Sequence, residues 1–330
     1  MIVQIKIEPF RTEYEEIWDQ FVEEKSVNGS FLQQRRFLNY HGDKFEDCSL
    51  MFYENNNLIG VCPACVWKEE GKRVFYSHRG STYGSIIIEK ELLRAEKMRC
   101  LYEAFEEYLR QHGFQKCVLK MSMDLLCTYP QDLIKFFLSY NGYKEIKELN
   151  VYIDLEKYKD DILSNFSKMK KRNIRKCIQG GMELRELVTK EEISNFYNIL
   201  SENLKKYNVK PVHNIMEMFD LKRRLSDNVV FYGVFHEKKI LAGTMVFIFH
   251  KSKCVHTQYL AADPEYAKLN AMAFVYYKII EIYKKKQFRY VSWGTTTEHG
   301  GKIINWNLAN NKEEFGSLHG VNSIFEKELF

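Results

Sequence analysis

The order of apolar and polar positions along the chain predicts most of its elements. Val3, Ile5 and Ile7 alternate with Gln4 and Lys6, so residues 1–7 are predicted as a strand. Tyr14, Ile17, Trp18 and Phe21 recur at helical spacing and predict a helix over 12–24, with a second over 31–40. Residues 48–53 are predicted as a strand, 54–57 (Glu-Asn-Asn-Asn) as a turn, and 58–67 as the hairpin partner. A strand over 73–78 then runs into a loop, 79–84, with a glycine near each end. A long helix over 92–112 and a strand over 114–121 close this half.

The second half repeats the plan. Strands are predicted over 182–187, 229–235, 239–249, 254–261 and 288–293, and helices over 189–207 and 271–286. Leu58-Ile-Gly60 aligns with Leu241-Ala-Gly243, and Phe114-Gln-Lys-Cys-Val-Leu119 with Phe288-Arg-Tyr-Val-Ser-Trp293. Hairpin, strand, loop, helix and strand recur in the same sequence, which predicts an internal duplication. The expected domains are 1–155 and 156–330, with a linker near 148–159, and length alone suggests two cores. Between the repeats lies the most basic stretch, 164–182. Leu163, Phe166, Ile174, Cys177 and Ile178 form its apolar stripe, Lys168, Lys170, Lys171, Arg172, Arg175 and Lys176 its remaining surface, and Gly180-Gly181 its stop.

Composition changes this picture little. Hydrophobic content of 45% and charged content of 28% describe an ordinary globular chain, and a net charge of +5 does not by itself imply nucleic acid. No apolar run approaches the roughly 18 residues of a membrane span, and the first residues lack the form of a signal peptide, so a cytoplasmic protein is expected. Cys62-Pro-Ala-Cys65 lies inside an apolar run with no second ligand pair, so buried reduced thiols are expected and no metal.

Four stretches together resemble a known family. They are Phe31-Leu-Gln-Gln34, His78-Arg-Gly-Ser-Thr-Tyr-Gly84, Lys170-Lys-Arg-Asn-Ile-Arg-Lys176, and Asn305-Trp-Asn-Leu308 followed by Lys312-Glu-Glu-Phe-Gly316. In this order, and over most of the chain, they resemble the Fem-type peptidyltransferases and their GNAT acetyltransferase relatives. The fold so implied is α/β with mixed sheets, two tandem GNAT-like domains from one duplication. One departure is the loop 264–270, which matches the pyrophosphate loop of acetyl-CoA users but contains no glycine. The helix that follows can still offer backbone amides to a phosphate.

The chemistry implied by the resemblance is attack of an amine on a thioester or an aminoacyl ester. Leu260, Ala261, Ala262, Lys268, Asn270 and Ala271 are then expected to bind the donor. Lys312, His299 and Glu298 are the expected catalytic groups, with Lys312 matching the lysine of the family's tail motif. Arg79, Tyr83, Arg172, Arg175, Trp293, Thr295 and Asn305 are expected to meet the acceptor. Plainer roles suit the same residues: an exposed loop histidine, a solvated lysine, a core tryptophan. Three functions follow. One is an N-acyltransferase that takes acetyl-CoA or another acyl-CoA to an amine of a sugar or nucleotide-sugar for surface polysaccharide. Another is an aminoacyl-tRNA-dependent peptidyltransferase acting on a cell-wall precursor, and the third a non-catalytic binding protein. The cations cluster on one helix and form no broad stripe, which favours acyl-CoA over tRNA.

Overall fold

A computed structural model describes residues 4–206 and 208–330. Residues 1–3 of the expected first strand and Tyr207, at the end of the helix expected over 189–207, lie outside the described residues. Along the chain, β1 (Ile5–Pro9), α1 (Glu15–Gln20) and α2 (Arg35–Leu38) come first. Strands β2 (Glu46–Asp47), β3 (Leu50–Glu54), β4 (Asn57–Cys62), β5 (Cys65–Glu69), β6 (Lys72–Ser77) and β7 (Ile87–Ile88) follow. Next are α3 (Ala95–Gln111), β8 (Lys116–Lys120), α4 (Asp132–Tyr140) and β9 (Lys144–Asp154). The later elements begin with α5 (Lys168–Gln179), β10 (Glu183–Glu186), α6 (Lys190–Lys205), α7 (Ile215–Arg224), β11 (Val229–His236), β12 (Lys239–Phe249) and β13 (Cys254–Ala262). They end with α8 (Ala271–Lys285), β14 (Tyr290–Thr295), β15 (Thr297–Glu298), β16 (Ile303–Ile304), α9 (Trp306–Glu313) and β17 (Leu318–Glu328).

The chain forms two compact units, residues 1–148 with 321–330, and residues 149–320. These bounds differ from the expected 1–155 and 156–330. The stretch expected as a linker is strand through Asp154, because Val151 and Ile153 alternate inward with no exposure, and residues 321–330 return to the first unit.

In the first unit β1, β3, β4 and β7 form one antiparallel sheet. The end of β17 lies beside β8, then come β6, β5 and β2, with β6 and β8 the parallel pair. The hairpin partner expected as one strand over 58–67 is broken at Pro63, which has no N–H to donate to a ladder. Cys62 and Cys65 end and begin the two pieces, and both are fully buried free thiols. Burial pushes Cys65 up to about 11 and Cys62 well above the ordinary thiol value. On α3, Leu101, Tyr102, Phe105 and Leu109 are buried in a core that also holds Phe52, Phe75 and Phe114.

The second unit orders its strands β10, β11, β12, β13, β14 and residues 149–154 of β9. All neighbours are antiparallel except β13 and β14. Each unit therefore places one parallel strand pair at the two ends of a long helix, α3 in the first and α8 in the second. Phe274, Val275, Ile279, Ile280 and Tyr283 of α8 are buried with Val246, Val255 and Val291 of the sheet. No helix among the described residues is long and apolar enough to cross a membrane.

Gly233 and Gly243 face each other on β11 and β12, beneath α6. A Cβ at Gly243 would sit 2.6 Å from the ring of the fully buried Phe196 and 2.8 Å from the Tyr232 carbonyl oxygen. Gly243→Ala is expected to cost about 1–3 kcal/mol, the range for overpacking. The check is a lowered urea midpoint at an unchanged slope.

Candidate active site

The central feature of the second unit is the parting of β13 and β14. They pair in parallel over three positions, Cys254 with Tyr290, Val255 with Val291 and His256 with Ser292. Each strand is also bulged. The β12–β13 register passes from Thr257 to Tyr259, leaving Gln258 extra, and the β14–β9 register passes from Ser292 to Gly294, leaving Trp293 extra. A bulge bends its strand and re-aims the neighbouring groups. Gly294 holds a φ of +78°, the left-handed conformation that favours glycine.

Lys312 of α9 secures the second bulge. Its ammonium donates to three successive carbonyls, Trp293 at 2.7 Å, Gly294 at 3.3 Å and Thr295 at 3.1 Å, and the residue is only 3% exposed. Burial lowers its pKa to about 8. His256 lies where the strands part, its Nδ1 3.1 Å from Ser292 Oγ. Burial first, and then the Lys312 charge, lower His256 to about 4, so its ring is neutral at pH 7.

Beyond the parting, the end of β13 and the first turn of α8 enclose a pocket of about 210 Å³. Ala262, Asn270, Ala271, Tyr276 and Phe315 contribute walls, and Lys170 of α5 reaches it as well. Tyr276 stacks on Phe315 at 4.5 Å and meets Trp293 edge-on at 4.5 Å. Trp293 is 2% exposed, and its indole N–H has no hydrogen-bond partner among the described residues.

Of the expected donor residues, Ala262, Asn270 and Ala271 line this pocket. Leu260 and Ala261 lie two and one positions earlier on β13, opposite Thr244 and Gly243. Lys268 is exposed and is not among the lining residues; its carbonyl accepts from Asn270 Nδ2 at 2.9 Å. The loop expected to carry Glu298 and His299 is a small hairpin, β15 against β16, with His299 exposed at its turn. Glu298 accepts from Asn305 Nδ2 at 3.0 Å, and Asn305 caps α9 through Leu308 N–H. Thr295 meets Lys312 through its carbonyl. Arg172 and Arg175 lie on the exposed side of α5, where they share a groove of about 410 Å³ with Lys168, Lys171 and Lys176. Among the described residues no carboxylate pairs with these five cations.

Arg79 and Tyr83 belong to the first unit. The Arg79 guanidinium rests 4.0 Å above the Trp67 ring, and Tyr83 is buried. Beside them Lys120, at the end of β8, donates to the Ser81 carbonyl, and burial lowers it to about 8.

His256 and Tyr276 escaped the sequence reading, and Lys170, expected on the outer surface of its helix, is buried. His256 sits in a strand that reads as core, and Tyr276 in a helix apolar on most sides. Lys170 carried a usable signal, because it precedes Ile174 by four residues and Cys177 by seven. Those three share one buried face of α5, while Ile178, expected there, is 48% exposed.

Comparison with known proteins fits this geometry. Residues 164–300 match the family described as Acetyltransferase (GNAT) domain. No curated protein matches the chain by sequence. Among solved structures, that of FemX covers 98% of this chain and 97% of its own, with a TM-score of 0.72 at 11% identity. L-PGS from Bacillus licheniformis covers 96% and 91%, with a TM-score of 0.61 at 12% identity. A tandem GNAT protein from the clavulanic acid biosynthesis pathway covers 99% of both chains, with a TM-score of 0.57 at 9% identity. The chain has the Fem-like tandem GNAT fold. It carries a GNAT acetyltransferase domain in its second unit and is an acyltransferase.

The neutral, buried His256 gives stability a pH dependence with a definite sign. Between the ordinary value of 6.5 and about 4, the unfolded chain binds a proton that the folded chain refuses. Stability therefore falls as the pH drops through that window, by on the order of 3 kcal/mol at its end. Urea unfolding at neutral pH and near pH 4.5 is expected to show a smaller loss for His256→Gln than for wild type.

Proposed function

We propose that the chain is an N-acyltransferase that takes an acyl group from acyl-CoA to an amine of a sugar or nucleotide-sugar used in cell-surface polysaccharide. The observation that carries this reading is the pocket between the end of β13 and the start of α8, inside a GNAT acetyltransferase domain. Its walls combine aromatic and alanine surfaces, which suit an uncharged pantetheine arm, with a helix start that suits phosphate.

In this reading, backbone groups of Leu260, Ala261 and Ala262 align the arm, while Asn270, Ala271 and Lys268 face its phosphates. The acceptor nitrogen adds to the thioester carbonyl carbon, the carbonyl oxygen takes the negative charge, and the C–S bond breaks to release the thiolate. The nitrogen loses its proton to Glu298, to His299 or through water. Lys312 acts as a positioning residue: its three bonds fix the β14 bulge, and its positive charge favours the oxyanion in a site of low dielectric. Arg79, Tyr83, Arg172, Arg175, Trp293, Thr295 and Asn305 are assigned to the acceptor.

A second reading has its own support. The exposed cations of α5, free of carboxylate partners among the described residues, suit a phosphate backbone. With the Fem-type resemblance, they favour an aminoacyl-tRNA donor and a cell-wall precursor as acceptor.

Thermal-shift measurements separate the two. Acetyl-CoA in excess of its Kd is expected to raise the melting temperature, because it binds only the folded chain. A rise with aminoacyl-tRNA and none with acetyl-CoA would transfer the assignment to the second reading. In an acyl-transfer assay, Lys312→Ala is expected to lower turnover about 100-fold or more. It is also expected to lower the melting temperature, since it leaves three buried carbonyls without their donor. Lys312→Arg should restore only part of either, because a planar guanidinium presents its donors differently.

A further inference from the structure

We propose that Lys170 is the phosphate anchor of the donor pocket, taking the place of a glycine-rich pyrophosphate loop. The ligand chemistry is a phosphodiester or pyrophosphate on the donor. The inference rests on the reading that this pocket binds an activated acyl donor.

Most cations of α5 lie on its outer side, but Lys170 is only 7% exposed and lines the pocket together with Ala271, Met272 and Ala273 of α8. The helix is fastened there at two further points on the same side. Asn173 Nδ2 donates to Asn270 Oδ1 at 3.0 Å, and Cys177 Sγ lies 3.2 Å from the Leu269 carbonyl oxygen. Lys170 precedes these by three and seven residues, so successive turns of α5 follow the segment that leads into α8.

The charge is held but only partly neutralised. Lys170 Nζ lies 3.3 Å from Glu314 Oε2 and 5.0 Å from the centre of the Phe315 ring. Glu314 is itself shared, since its Oε1 accepts from Ser167 Oγ at 3.0 Å. An ammonium has three protons to donate, and one shared carboxylate leaves capacity for an anion. A buried charge with so little compensation is costly unless something else meets it.

The backbone beside it explains the need. The segment 264–269 has no glycine, and it ends at Asn270 with a φ of +59°. Every residue there carries a Cβ, so the chain cannot wrap an anion as closely as a glycine-rich turn does. A lysine delivered from a separate helix supplies the missing attraction. The aromatic faces of Tyr276 and Phe315 are left for the uncharged part of the donor.

The test is calorimetric titration of the full chain, as wild type, Lys170→Met and Lys170→Arg. The probes are CoA, pantetheine, and an RNA minihelix ending in single-stranded CCA. Lys170→Met is expected to weaken the phosphate-bearing probe about 10- to 100-fold, the worth of a charge-assisted bond. Pantetheine, which has no phosphate, should bind as to wild type, and this also shows that the variant is folded. Lys170→Arg should recover most of the loss. The source of the phosphate is read from Lys168→Glu with Lys176→Glu on the outer side of α5. RNA binding would weaken and lose part of its salt dependence, whereas CoA binding would not change. Equal affinity of wild type and Lys170→Met for CoA and RNA would overturn the assignment alone and leave Lys170 a structural charge. Equal weakening of pantetheine would overturn it as well. If wild type bound neither CoA nor RNA, the donor reading would fall with it.

Discussion

The second unit depends on how β13 and β14 are held apart. Parallel strands left to themselves continue their ladder, and here the ladder stops after three pairs. The extra residues Gln258 and Trp293 bend the two strands, and the Lys312 ammonium holds the second bend by taking up three carbonyls. An ammonium can do this because it carries three protons on one atom, and it does so out of water, where each bond is stronger. Beyond the parting, the end of β13 and the first turn of α8 line the pocket. Local strand irregularity and functional geometry are thus one arrangement.

Much of this architecture was legible because hydrophobic periodicity follows burial. Tyr102, Phe105 and Leu109 mark α3, and the repeat of Leu58-Ile-Gly60 in Leu241-Ala-Gly243 reports the duplication. What escaped has physical causes. The stretch 148–159 reads as a linker because Glu148, Asp154, Glu156, Lys157 and Lys159 outweigh the inward Val151 and Ile153. The strand expected through Pro63 fails because one residue without an N–H is invisible to a hydropathy pattern. Bulges leave no compositional mark either, so nothing in the spacing announces the parting of β13 and β14.

The candidate site was legible in part for a related reason. Ala262, Asn270 and Ala271 follow from chain order, since the end of one strand and the start of the next helix must be close. Lys170 and Phe315 come from segments far away in sequence, and only packing brings them in. Lys312 stands out in the tail motif, and the structure gives that a concrete form: a buried lysine whose protons are spent on backbone.

The return of residues 321–330 to the first unit has a consequence for synthesis. On the ribosome the first 148 residues emerge early, yet the strand that pairs with β8 is made only after the second unit. Until then β8 is an edge strand, with its outer hydrogen-bonding groups open to any passing chain. At ordinary elongation rates this interval lasts on the order of ten seconds or more. Lys116 stands at one end of that edge, and such a charge discourages strand addition. The N-terminal unit thus has to wait, partly unfinished, while an entire second unit is translated.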